Sequence, residues 1–246
     1  MILRRVTKHV KDQNWFAVGI DFFIVVVGVF VGLQVQNWSE RQGDRSAEQR
    51  YLIELRQDLE MALNEIDETI ANAELRRAAG AYVFDGAPPP NAVSTFKKMQ
   101  RNFLGEDAAD AAPEDYLPLI FSVARIVDKH GDTYAELVAT GNIGVFEDRS
   151  IARELSTYYS RYDEIQTGDE MNWTQMTKTR EILQNRGISM TSPISPTNFI
   201  TRVRDDDEIE AALQNVAGLA GWQVKRLSNL RDETEGTLAR IESYSD

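Results

Sequence analysis

Phe16 to Leu33 is an 18-residue apolar run with one ionisable residue in it, Asp21. A hydrocarbon core about 30 Å thick is crossed by about 20 mostly apolar helical residues. Trp15 and Trp38 bracket the run 23 positions apart, roughly 34 Å of helix at about 1.5 Å per residue. Tryptophan favours the headgroup level, so the pair marks two membrane interfaces. Val25, Val26, Val27, Val29, Phe30 and Val31 cover every face of such a helix, whereas a helix in a water-soluble protein keeps a polar side. The basic start (Arg4, Arg5, Lys8, Lys11) suits a signal peptide, but Gln34 to Trp38 offer no small-x-small cleavage site. The expectation is a basic cytoplasmic tail over 1–14 and an uncleaved transmembrane helix over 15–38.

Two features inside the span point to a helix partner. Asp21 sits about six residues in from Trp15, near one interface. Ionisable groups at membrane depth face water or a partner, so Asp21 could snorkel, stay protonated or pair with Lys11. Gly28 and Gly32 form a small-xxx-small pair that lets helix backbones approach closely. At about 100° per residue, Asp21, Val25, Gly28 and Gly32 share one stripe. This stripe is the candidate self-association face, although glycine is common in membrane helices for its own sake.

Orientation rests on charge. Four Lys/Arg flank each side of the span, which ties the positive-inside count. The entry charges are dense, with only Asp12 among them, while the exit charges alternate with Glu40, Asp44, Glu48, Glu54 and Asp58. Beyond residue 38 the chain holds 23 Lys/Arg against 37 Asp/Glu. The reading is a single pass in a bacterial inner membrane, with the N-terminus cytoplasmic and the body periplasmic. The net charge of −12 argues against nucleic-acid binding, which needs a basic stripe. The absence of cysteine excludes disulfides, thiolate metal sites and cysteine nucleophiles.

The body reads as all-α. Leu52, Leu55, Leu59, Ala62, Ile66 and Ile70 recur at helical steps within a long helix leaving the membrane over 39–85, and Gly86 to Pro90 stop it. A short amphipathic helix is expected over 92–104, then a polar loop over 105–114. Tyr116 to Lys129 is the most hydrophobic part of the body and is expected to form one buried helix ended by Gly131. Asp132 or Thr133 caps the next helix, whose apolar face is Tyr134, Leu137 and Val138, and Gly141 closes it. Asp148 caps a long helix reaching about Gln184, with Met171 and Trp173 on its apolar face and Gly168 a weak point. Residues 185–201 read as a loop containing Pro193 and Pro196. Asp205 to Asp207 start the last helix, which reaches about Tyr244. No alternating β pattern of useful length occurs, so residues 39–246 are expected to form an antiparallel helical bundle.

Two separated motifs carry a resemblance. The first is Asp21, Ile24 to Val27, Gly28, Gln34 and Asn37-Trp38 with Glu40 and Arg41. The second is Thr133-Tyr134, Glu136-Leu137 and Thr140-Gly141-Asn142, then Leu155 and Tyr158-Tyr159. Together they cover about a third of the chain. In these respects the chain resembles a widespread family of uncharacterised bacterial single-span membrane proteins, which often has serine where Thr140 stands. The resemblance implies a membrane-anchored helical domain and brings no activity and no catalytic residue with it.

Residue chemistry points away from catalysis. His9 and His130 are isolated, so no metal site is expected. Asp205, Asp206, Asp207 and Glu208 lack the glycine and distal glutamate of a calcium loop, and helix capping explains them. No phosphate-binding glycine loop and no Gly-x-Ser-x-Gly elbow is present, and no cofactor is implied. The corner at Tyr134, Thr140, Gly141 and Asn142 reads either as a recognition turn displaying Asn142 or, better, as a helix C-cap with Tyr134 in the core. The expected function is a non-enzymatic membrane-anchored interaction or scaffold protein. Its partners would be the lipid bilayer, a second copy through the span and an unknown protein. The alternative is a proton-coupled motor or transporter accessory using Asp21 as proton carrier.

Overall fold

A computed structural model of the protein describes residues 15–104, 112–123, 125–127 and 131–245. Within these, the side chains of 15–19, 21, 37, 40, 41 and 245 lie outside the description. The basic tail, both histidines, most of the 105–114 loop, and the Trp15 and Asp21 side chains are therefore outside it.

Every regular element among the described residues is a helix. Helix α1 is Trp15–Asp85. It ends at Gly86, whose φ of +68 is the left-handed cap conformation. The Ala87 amide reaches back to the Ala81 carbonyl at 3.2 Å, and Pro88 to Pro90 prevent resumption. Next come α2 (Val93–Leu104), a 3₁₀ turn (Pro113–Tyr116), α3 (Leu117–Ser122), α4 (Asp132–Ala139) and a second 3₁₀ turn (Asn142–Val145). Helices α5 (Arg149–Asn185), α6 (Pro196–Arg204) and α7 (Asp207–Ser245) complete the chain.

The chain divides into two units, 1–50 and 51–246. In the first, the part of α1 from Ile20 to Val35 leaves its large apolar side chains exposed, among them Phe22 at 70%, Phe23 at 67% and Val25 at 63%. Among the described residues, no helix is long and apolar enough to cross a membrane. The side chains of residues 16–19 and of Asp21, all within the apolar run, are not among those described.

In the second unit, α1 from Tyr51, α5 and α7 form a bundle. Arg56 pairs with Glu242, Asp67 with Arg231, and Arg76 with Gln223. Numbers rise in α1 as they fall in α7, so these two helices are antiparallel. Asp148 meets Arg240, Tyr158 meets Thr234, and Gln175 meets Asn215, so α5 and α7 are antiparallel as well. It follows that α1 and α5 run in the same direction. Each long helix buries a seam at alternating three- and four-residue steps, as coiled-coil packing demands. In α1 the seam includes Leu55, Leu59, Ala62, Ile66 and Ala73; in α5 it is Leu155, Tyr158, Tyr162, Ile165 and Met176; in α7 it is Leu213, Val216, Ala220, Leu227 and Leu230. Phe96 and Met99 of α2, all of α3, and Phe199 and Val203 of α6 cover one end of this core.

Several expectations are met in detail. Asp148 Oδ1 accepts from the Ser150 amide at 2.8 Å and caps α5. Asp206 Oδ1 accepts from the Glu208 and Ile209 amides at 3.0 and 3.2 Å and caps α7. These bonds favour the ionised carboxylates and hold both acids below their ordinary range. Gly141 adopts φ +75 after α4.

Others are corrected. The expected helix over 116–129 stops at Ser122, and Val123 is extended (φ −103, ψ 118). The expected loop over 185–201 contains the start of α6, because Pro196 occupies the first helical turn, where its missing N–H costs nothing. Met171 and Trp173 are exposed rather than core, since the α5 seam passes through Asp169, Asn172 and Met176 and leaves both flanking positions outside. Val138 is exposed likewise. Neither Asp132 nor Thr133 caps α4 with its own side chain. Asp58 of α1 does so instead, accepting from the Thr133 amide through Oδ2 at 3.1 Å.

Candidate functional site

Four seam positions that ought to be apolar are polar, and they lie at one level of the bundle. Arg76 of α1 is 1% exposed; Asp169 and Asn172 of α5 and Gln223 of α7 are equally buried. Arg76 Nη1 donates to Gln223 Oε1 at 3.3 Å, and Nη2 donates to the Val123 carbonyl at 3.1 Å. Gln223 Nε2 donates to the Arg125 carbonyl at 3.4 Å. Asn172 Nδ2 donates to Asp169 Oδ1 at 3.3 Å. The Gln223 side chain and the Val127 amide both stabilise the Asp169 carboxylate. One turn along α7, Arg226 lies over the Trp222 ring at 4.2 Å and donates to the carbonyls of Glu164 and Ile165 at 3.2 and 3.0 Å.

This layer explains the break after α3. A chain leaving a helix exposes carbonyls that have lost their partners, and buried ones must find others. Val123 and Arg125 find Arg76 and Gln223. On the outer side, the Arg125 guanidinium is held by Glu65 and Glu68 at 2.8 and 2.7 Å.

Gly168 belongs to the same arrangement. A Cβ there would collide with the Arg226 guanidinium, so glycine in mid-helix makes room for the cation rather than weakening α5.

Burial sets the protonation chemistry. It lowers Arg76 to about 10, against the opposing pull of Asp169. It raises Asp169 above the ordinary carboxylate range, against hydrogen bonds and the charge of Arg226. For an acid raised on folding, the stabilising contribution is complete below the unfolded value. It is lost as pH rises through the folded value. For Arg76, lowered on folding, the contribution is present above the ordinary guanidinium value and lost as pH falls through about 10. Both ionised forms are thus a burden at neutral pH, offset by their mutual attraction and their hydrogen bonds. Among the described residues, Arg76 Nε, Asp169 Oδ2, Asn172 Oδ1 and Arg226 Nη1 have no hydrogen-bond partner.

The second polar feature is the motif at 133–142. Tyr51 donates to Glu136 Oε1 at 3.1 Å, and Asn142 Nδ2 donates to the Tyr51 hydroxyl at 3.4 Å. Tyr134 stacks on Tyr159 with centroids 4.4 Å apart. Tyr158 and Tyr162 extend the aromatic cluster edge to face at 5.0 and 6.0 Å. Burial pushes the Tyr158 hydroxyl up to about 12 and Tyr159 still higher. A Cβ on Gly131 would lie 2.5 Å from the Tyr159 ring, which is why glycine precedes α4. The motif therefore docks α4 on the bundle, with Tyr134 half-buried rather than in the core and Asn142 exposed.

The other sequence candidates are not gathered into a site. Val25, Gly28, Gly32 and Trp38 are exposed on α1. Among the described residues, nothing beyond the helix's own adjacent backbone comes within 4 Å of a Cβ placed at Gly28 or Gly32. Among the described residues, no three His, Cys, Asp or Glu side chains group as metal ligands. A shallow groove of about 320 Å³ lies beside Tyr158, Arg161 and Glu233.

Sequence reasoning missed Arg76, Asp169, Asn172 and Gln223. The available signal was their position: each falls on a three-four step occupied otherwise by Leu, Ile, Ala or Tyr. No family model, curated protein or solved structure matches this chain.

Proposed function

We propose that this protein is a membrane-anchored, non-enzymatic helical protein. Residues 15–38 cross a bacterial inner membrane once, and residues 51–246 form an interaction or scaffold module on the periplasmic side. The observation that carries the reading is the apolar segment itself. From Phe22 to Val35, isoleucine, valine, leucine and phenylalanine stand exposed on all sides of one helix, a surface that water disfavours and lipid accepts. The membrane family that the two motifs resemble agrees with it. The module contributes an acidic helical bundle in which Arg76, Gln223 and Arg226 donate to backbone carbonyls, which suits display rather than catalysis.

In this reading the bilayer is one partner and a second copy is another. The stripe of Asp21, Val25, Gly28 and Gly32 packs against its equivalent, because glycine lets the two backbones approach.

Two experiments test this. The untagged protein should stay in the membrane pellet after alkaline carbonate and be released by detergent; release by carbonate alone refutes the anchor. In isolated membranes, lipid-phase crosslinking should give a discrete dimer, and Gly28→Leu should reduce its yield several-fold. An unchanged yield removes the glycine stripe from the interface while leaving the anchor intact.

A further inference from the structure

Asp169 and Asn172 stand three residues apart on α5, a spacing that turns two side chains of a helix toward each other. Each is 1% exposed. Asn172 Nδ2 donates to Asp169 Oδ1 at 3.3 Å. That bond leaves one oxygen over on each side chain, Asp169 Oδ2 and Asn172 Oδ1, and neither has a donor among the described residues. Two buried acceptors without donors each carry the full cost of desolvation. One proton removes both costs. Placed on Oδ2, it turns one orphan into a donor and gives the other its bond.

The neighbouring cations are committed elsewhere. Arg76 from α1 donates to Gln223 and to the Val123 carbonyl. Arg226 from α7 donates to the carbonyls of Glu164 and Ile165, and Arg161 and Glu164 act in turn on its charge. The Arg125 guanidinium is held on the outside by Glu65 and Glu68. Gln223, Asn172 and the charge of Arg226 favour the carboxylate, and burial outweighs them, so Asp169 stands above the ordinary range of an acid.

We propose that Asp169 is a carboxylic acid at neutral pH, its Oδ2–H donating to Asn172 Oδ1 so that the two side chains close an acid–amide ring. The bundle thus binds one proton in its core. With the ring closed, α5 satisfies its own polar pair, and Arg76 is left to hold Gln223 and the Val123 carbonyl. With the proton gone, Oδ2 turns to the guanidinium groups, where Arg76 Nε and Arg226 Nη1 lack partners, and Asn172 Oδ1 is stranded. The proton therefore sets whether Asp169 pairs within its own helix or across to another. An acid raised on folding stabilises fully below its unfolded value and loses that contribution as pH rises through the folded one, so alkali weakens this bundle.

The test uses the full chain in detergent micelles with ¹³Cγ-labelled aspartate. Asp169→Asn supplies an amide N–H where the acid's O–H stands. The variant should keep the wild-type denaturation midpoint at neutral pH and should remove one carbon resonance at a protonated-acid shift. From about pH 7 to about pH 9, the range open to buried carboxyls, the variant should gain on wild type by up to about tenfold in the folding constant per pH unit. A folding constant lowered about tenfold or more at neutral pH, or the loss of a carboxylate resonance instead, overturns the proposal, because either means an ionised Asp169 paired with a guanidinium. Should the variant fail to fold, the wild-type titration decides. An aspartate carbon still protonated at neutral pH supports the ring, and the lack of one overturns it.

Discussion

Arg76→Met lowers the unfolding free energy by about 2–3 kcal/mol, the usual cost of leaving buried acceptors without their donor. Methionine fills much of the same volume, so the loss comes from polar groups left behind rather than from a cavity. The Val123 carbonyl loses its donor, Gln223 Oε1 loses the guanidinium, and Asp169 keeps its burial with one fewer cation nearby. Changing Asp169 and Gln223 to leucine in the same chain should recover at least half of the loss, because an apolar layer has no desolvation to offset. Chemical denaturation followed by helical circular dichroism measures both. A single variant within about 1 kcal/mol of wild type would mean the layer is hydrated and not a dry clamp.

Gly80→Ala destabilises the bundle by about 2 kcal/mol, although alanine is the better helix former by about 1 kcal/mol. The reason is a close crossing. A Cβ at Gly80 would lie 2.5 Å from the Ala217 Cβ on α7, and neither methyl can rotate away. The helices must move apart, and overpacking of this kind costs about 1–3 kcal/mol. The compensating exchange checks the cause: Gly80→Ala combined with Ala217→Gly puts one methyl back into the same space and should restore the wild-type midpoint to within about 0.5 kcal/mol. If the double variant is as unstable as the sum of the singles, the crossing is not what Gly80 serves.

Local chemistry was legible in this sequence wherever one residue decides the backbone. Gly86 with three prolines, Gly141, Asp148 and Asp206 mark helix ends because each supplies a conformation or an acceptor that few residues can. The long seams were legible for the same reason, through the period of leucine and isoleucine. The end of α3 at Ser122 was not, because the sequence there is helical in pattern and the bonds that hold the Val123 and Arg125 carbonyls come from Arg76 and Gln223, about 50 and 100 residues away. Pro196 was read as a loop residue when its fixed φ also suits a first helical turn. Met171 and Trp173 were assigned inward by hydrophobicity, whereas the seam they flank runs through the polar Asn172 between them. Gly168 was legible only as an anomaly; its purpose depends on Arg226 of another helix.

The pairing of α1 with α7 has a consequence for how the chain is made. Asp67 and Arg231 are 164 residues apart, and a ribosome adds about 5–20 residues per second. For about 8–30 s, then, Leu55, Leu59 and Ile66 are already synthesised while the helix that covers them does not yet exist. During that interval the nascent chain offers a greasy ridge to whatever is nearby, which makes its early biogenesis a stage of high demand for chaperones.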